Sequence, residues 1–233
     1  MSKIVWDKTG GRLYETGCDR GVLYPLQGDG TYSKGVAWNG LTGVTESPSG
    51  AETTAIYADN IKYANLISNE EFGATIEAYM YPDEFMQCDG SAQIMPGMYA
   101  GQQARKTFGL SYRTIVGNDV DLNEYGYKLH LVYGCLAAPS ERSYSTVNDS
   151  PEAATLSWEI STTPVSIDTP IDGKKLRSTS VLTFDSTKFS AEFMSQLEEI
   201  LYGKDPTTTD GTDGVEPRLP MPDEIIKLFQ KTE

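Results

Sequence analysis

Apolar alternation at period two recurs along this chain, and it constrains the fold more than any other feature. Phe72, Ala74, Ile76, Ala78 and Met80 share one side of the stretch 71–81, with Thr75, Glu77, Tyr79 and Tyr81 on the other. Phe108, Leu110 and Tyr112 alternate in 106–116, Leu129, Leu131 and Tyr133 in 126–137, and Leu156, Trp158 and Ile160 in 155–163. Successive side chains of a strand point to opposite faces, so these windows read as half-buried strands. Lys106–Val116 and Gly126–Ala137 are expected to pair as a hairpin. A further strand is expected over Ser178–Asp185, packing through Val181, Thr183 and Phe184.

Helical spacing appears only late. Ser190 is placed as an N-cap, with Phe189 before it and Met194 after it positioned for a hydrophobic staple. Phe193, Leu197, Ile200 and Leu201 then recur on one face, and Gly203 suits the residue just past the helix end. One such helix among many strands is expected to lie across a sheet. Pro82–Met86 reads as a short helical turn.

The stretch Gly35–Tyr63 is expected to begin as a strand over Val36–Thr45 and to break at Ser47-Pro48-Ser49-Gly50. Extended structure resumes at Ile56 and Tyr57 and continues through Ile61, Tyr63, Leu66 and Ile67. The segment 46–59 is too apolar for a solvated tail, so it is expected to be a contact arm through Ser47, Pro48, Gly50, Ala51, Ala55, Ile56 and Tyr57. Lys3–Pro25 mixes short apolar spots with glycines and reads as an extended arm with one or two short strands. At the other end, 204–214 is a polar linker. A stiff proline-rich run, Glu216–Pro222, follows it, and then a short amphipathic helix capped by Asp223. Leu219, Met221, Ile225, Ile226, Leu228 and Phe229 are its contact residues, and an apolar helix of this kind must dock on its own body or on a neighbour.

Little in the sequence carries chemistry. The turn at Gln27–Tyr32 has two glycines of a dinucleotide fingerprint, but Ser33 stands at the third position and no helix follows to hold a phosphate. Asp119, Asp121 and Asn123 match three ligands of a calcium loop, yet Glu124 stands where the tight bend needs Gly and His130 where a bidentate Glu is needed. Asp210 and Asp213 form only a single weak copy of a calcium turn. His130 is the only histidine, so any hydroxyl–histidine or thiol–histidine scheme depends on it, and a structural role is expected. Glu70-Glu71 and Glu198-Glu199 are adjacent acids that point apart. No enzyme, metal or cofactor is therefore expected.

Composition narrows the partners. The chain has 233 residues, enough for one large domain with arms, and a net charge of −14 with pI near 4.5. That balance is the reverse of a nucleic-acid binder's basic footprint. Cys18, Cys88 and Cys135 are odd in number and far apart, so free thiols in a reducing compartment are expected. No apolar run approaches the roughly 18 residues of a membrane span, and the first residues contain no signal-peptide core.

Several stretches, taken together, resemble the major tail proteins (tail tube proteins) of long-tailed phages of Gram-positive bacteria. They are Tyr24-Pro25, Lys34–Thr42, Thr45–Glu52 with Tyr57–Tyr63, Glu71–Tyr79, Tyr81–Phe85, Tyr127–Gly134, Ser157-Trp158-Glu159 and Glu216–Pro220. The resemblance implies a mainly β fold: a β-sandwich or partial barrel with one flanking α-helix, a long loop, and N- and C-terminal arms. It divides the chain into an arm (1–34), a sandwich (35–203) with an inter-ring loop at 46–59 and the helix at 190–202, and a C-terminal linker and arm (204–233). It further implies hexameric rings stacked into a tube, an acidic-lined conduit for DNA ejection through which DNA passes without specific binding. The implied partners are the protein itself, then tape measure, tail terminator and distal tail proteins. The setting is the virion tail, assembled in the host bacterial cytoplasm, with no membrane. From the abundant Tyr and Trp, the alternative is a β-sandwich carbohydrate- or receptor-binding module of a phage tail or cell surface.

Overall fold

The computed structural model describes residues 3–146, 149, 153–171, 173–207 and 214–232. The first strand, β1 (Tyr14–Pro25), is followed by the two-residue strands β2 (Tyr32–Ser33) and β3 (Val36–Ala37), and then by β4 (Leu41–Glu46). A single antiparallel ribbon leaves and returns through β5 (Ser49–Gly50), β6 (Thr53–Ala58), β7 (Ile61–Ile67), β8 (Glu70–Glu71) and β9 (Gly73–Ala78). After a 3-10 turn at Asp83–Gln87 comes a small hairpin, β10 (Ala92–Met95) and β11 (Met98–Ala100). The long strands β12 (Phe108–Asn118) and β13 (Leu122–Ala137), then β14 (Leu156–Thr162) and β15 (Val181–Asp185), complete the body. Helix α1 (Ala191–Tyr202), β16 (Arg218–Leu219) and helix α2 (Pro222–Thr232) close the described chain.

The fold is mainly antiparallel β with two helices. The main sheet runs β3-β1-β12-β13-β14-β9-β4, and β15 pairs with the other half of β13. β4 lies back against β1, so the sheet curls into a partial barrel. Trp38 N–H, just past β3, donates to the Gly21 carbonyl at 2.8 Å and extends the β3–β1 pairing towards that seam. The interior is aromatic. Phe85, carried in by the 3-10 turn, meets Trp38 at 4.6 Å, Trp158 at 5.1 Å and Phe108 at 5.4 Å between ring centroids. Tilted and edge-on rings at such distances add about 0.5–1.5 kcal/mol per pair beyond area burial.

β13 serves two partners: residues 128–132 pair with β15, and residues 135–137 pair with β14. The strand divides at Gly134, whose φ is +63°. A Cβ there would stand 2.2 Å from the Thr163 carbonyl oxygen, so only glycine fits.

The outer face of β12 and β13 carries a second core. Leu129, Leu131 and Tyr133 meet Phe184 of β15 and the buried face of α1, formed by Phe193, Met194, Leu197 and Leu201. Ser190 caps α1 by accepting from the Phe193 amide. Met194 is buried in this core, whereas Ile200, expected there, is only half buried. α2 docks on the same subunit: Phe229 packs edge-on against Phe189 and Phe193 at 5.6 and 5.5 Å. A buried bond ties the C-terminal segment down, Tyr133 Oη donating to the Pro220 carbonyl at 2.8 Å, and a second, Gly134 N–H donating to Tyr32 Oη at 3.0 Å, holds β2, with which β16 pairs.

Several expectations need correction. Tyr14–Pro25 is an integral strand, not part of an arm, with Val22, Leu23 and Tyr24 buried. The expected strand at 36–45 is split into β3 and β4 by a turn at 38–40, where Gly40 has φ +84°. β9 ends at Ala78, and Met80 is exposed because the chain turns to place its carbonyl on Trp38 Nε1 at 3.0 Å. Thr183 faces outward, and Leu182 and Phe184 pack in its stead. Asp223 does not cap α2 from outside. It is the second helical residue, and its carboxylate accepts from the Asp168 and Thr169 amides at 3.1 and 2.8 Å.

Candidate functional site

The residue types that could do chemistry are each committed elsewhere. In the loop between β12 and β13, the Asp119 carboxylate accepts from the Gly10 amide at 3.0 Å, and Asn123 accepts from Tyr14 Oη at 2.9 Å. Asp121 takes the side-chain amide of Asn118 at 3.0 Å. The three oxygens that match a calcium loop in sequence therefore diverge. Among the described residues no three His, Cys, Asp or Glu side chains gather in a metal-binding group; Asp210 and Asp213 lie outside them. Burial pushes the thiols up, Cys18 to about 11 and Cys88 to about 12, with Cys135 also raised, so none offers a ready thiolate.

His130 comes nearest to a reactive arrangement. Its Nε2 is 3.0 Å from Thr114 Oγ1, and its Nδ1 is 3.5 Å from Glu46 Oε1, an order of hydroxyl, imidazole and carboxylate. However, the Thr114 hydroxyl donates to Glu15 at 2.6 Å, so Nε2 must carry the proton and donate to Thr114. A base needs that nitrogen bare. The ring also lies flat on Tyr112, with centroids 4.7 Å apart, and Tyr112 Oη donates to Glu46 at 2.5 Å. Burial holds the imidazole below its ordinary pKa despite the opposing pull of Glu46 and Glu15, so it is neutral at pH 7. The cluster fastens β1, β4, β12, β13 and β15 to one another at the root of the ribbon.

The ribbon itself stands apart from these contacts. β4 pairs with β9, β5 with β8, and β6 with β7, so one two-stranded antiparallel strip leaves the barrel beyond Glu46 and Ala74. Residues 47–59 at about 3.3 Å each give roughly 40 Å of strand. Its tip is Asp59-Asn60, both with positive φ (50° and 63°), the geometry of a type I′ hairpin turn. Among the described residues β6 and β7 pair with no other strand. Ile61, Tyr63 and Ile67 are 66–72% exposed, Tyr57 and Leu66 are exposed as well, and the irregularity between Ile56 and Tyr57 distributes these side chains over both faces.

A two-stranded ribbon open on both faces is marginally stable at best in water. Exposed aromatic and branched residues along the ribbon make an apolar surface that the described residues of its own subunit leave uncovered. Of the residues expected to form the contact arm, Ser47 and Pro48 lie at its root and Gly50 in β5. Ala51 follows, and Ala55, Ile56 and Tyr57 lie in β6. The expected boundary at 59 falls at the turn, and the returning strand β7 carries most of the exposed apolar surface.

Two more exposed apolar segments accompany the ribbon. Ile94, Met95, Met98 and Tyr99 stand on the β10–β11 hairpin, and Ile4, Val5 and Trp6 precede β1. The Pro96-Gly97 pair is a turn signal that could have located the first of these in sequence. The expected C-terminal contact residues divide: Leu219 and Ile225 are buried in their own subunit, Ile226, Leu228 and Phe229 are half-buried, and Met221 is exposed. On α1, Phe193, Leu197 and Leu201 face the sheet.

No protein-family model matches the sequence, and no curated protein matches it. Among solved structures, a chain of the anti-feeding prophage baseplate, determined by cryo-EM with six-fold symmetrisation, is similar at TM-score 0.35 and 10% identity. The match covers 71% of this chain and 92% of that one. A chain of the sheath–tube complex of an extracellular contractile injection system in its extended state is similar at TM-score 0.30 and 12% identity, covering 71% and 88%. Both likenesses are loose.

Proposed function

We propose that this chain is a structural subunit of a phage tail, polymerising as stacked rings into a tail tube. The observation that carries the proposal is the ribbon at 47–72, which presents apolar side chains on both faces and pairs with no other strand among the described residues. Sheet edges add support. β15 pairs only with β13, and the first half of β1 only with β12. Unpaired edges invite association, and closing a ring of copies would pair each with its neighbour. The resemblance of the sequence to major tail proteins favours six copies per ring, with these strands joined into a barrel around the DNA channel.

The charge suits that role. Each copy carries −14, and acids facing the lumen would repel phosphates and let DNA slide. Cationic contacts would hold it by counterion release, each neutralised phosphate adding about −0.9 to the salt slope. The role requires no catalysis, and tape measure, terminator and distal tail proteins would be the further partners in the virion. Negative-stain microscopy and sedimentation of concentrated protein test the proposal. Rings or tubes are expected; a monomer at every concentration overturns it.

A further inference from the structure

A cleft of about 450 Å³ opens at the root of the ribbon, between β8 with the start of β9 and the segment 177–181 that leads into β15. Asn69, Glu70, Phe72, Arg177, Ser178 and Ser180 line it. Its polar side chains are unspent. The Ser180 hydroxyl is buried and makes no hydrogen bond, and among the described residues the side chains of Asn69, Glu70, Arg177 and Ser178 have no partner either. Buried hydroxyls are nearly always paired, so an orphan beside four more idle polar groups marks a place that a ligand completes. The volume falls within the roughly 300–1,000 Å³ of small-ligand sites.

The chemistry of these groups narrows the ligand. Glu70 disfavours an anion and Arg177 a cation, and their charges cancel. Glu70 only accepts, Arg177 only donates, and Asn69 and the serines do both. Hydroxyls, which donate and accept at one atom, answer every member of that set. The half-buried Phe72, with Pro164 and Val181, supplies an apolar floor for ring carbons. An extended peptide is the other neutral candidate, but strand addition works through main-chain groups. Here many are taken. Thr179 exchanges both of its own with Val165 at 2.9 Å, the Ser180 carbonyl accepts from the Tyr133 amide at 2.8 Å, and Glu70 and Glu71 pair with Gly50 and Ser49.

We propose that this cleft binds a neutral saccharide, one sugar ring lying on Phe72 with its hydroxyls shared among Asn69, Glu70, Arg177 and Ser180. The site belongs to the single subunit and does not depend on self-assembly.

Saturation-transfer NMR on the full chain at low concentration, titrated with glucose, galactose, mannose, N-acetylglucosamine and maltotriose, tests the site. Binding at millimolar concentration is expected. Maltotriose binding more tightly than glucose would mark a polysaccharide chain as the source of the sugar, and equal binding a free sugar. Ser180→Ala and Arg177→Gln, the second at an exposed position, should each weaken binding about three- to tenfold. Ser180→Ala should leave the melting temperature of the unliganded protein unchanged or raised, because it removes an orphan hydroxyl. No binding by any of these sugars, undiminished binding by both variants, or a preference for glucuronate or phosphate over the neutral sugars overturns the proposal.

Discussion

Replacing Ile61 and Tyr63 together by serine separates a surface built for a partner from one built for the fold. In the subunit these side chains are 66% and 72% exposed, so a partner has about two thirds to three quarters of each left to cover. Burying a large apolar side chain fully is worth about 1.5–3 kcal/mol. At that fraction the pair is worth about 2–4 kcal/mol per ribbon contact. Each added subunit makes one such contact, so the critical concentration should rise roughly 30- to 800-fold. The subunit itself should shift by no more than about 0.5 kcal/mol, or one to two degrees in melting temperature. Light scattering against concentration reads the first quantity and calorimetry of dilute protein the second. An unchanged critical concentration, or a melting point lowered by many degrees, would refute the assignment of the ribbon to assembly.

Three further outcomes test the interior. Phe85→Ala empties the centre of the aromatic cluster and should cost about 3–5 kcal/mol in denaturant unfolding. Gly134→Ala should cost more than the 1–2 kcal/mol of left-handed backbone alone, since its methyl would collide with the Thr163 carbonyl; a mild loss would mean that the branch point can relax. His130 is held neutral in the folded protein, with its pKa below the ordinary value near 6.5. Its contribution to stability is therefore present above pH about 6.5, falls as the unfolded chain takes up a proton, and levels off below the folded pKa. Urea midpoints from pH 8 to 5 should show that fall, and His130→Asn should flatten it.

Of the strands that could be read from sequence, those at 73–78 and 156–162 have one face in a core, which enforces alternation, and those at 108–118 and 122–137 show it although parts of both are buried on both faces. α1 was legible for the matching reason, with a capping serine and an apolar face at helical spacing. β1 was hidden because its register with β12 shifts twice, between Thr16 and Asp19 and again before Val22, and Arg20 adopts φ 50°. Bulges break period two, so the strand looks like a loop sprinkled with glycine. The extent of the ribbon was missed for another reason: Asp59-Asn60 is a weaker turn signal than Asn-Gly, although both residues tolerate positive φ. The apolar groove between α1, α2, β15 and residues 167–176 lies beyond any local pattern, since its residues come from four elements joined only by tertiary packing.

The pairing of β16 with β2 bears on timing. Arg218 meets Ser33, and Leu219 meets Tyr32, across about 185 residues of chain. At 5–20 residues per second, β2 leaves the ribosome about ten to forty seconds before its partner exists. Until then Tyr133 lacks the Pro220 carbonyl, and α2 has not arrived to form its wall of the groove. A nascent chain would thus display its ribbon while the outer face of its own sheet still lacks part of its cover.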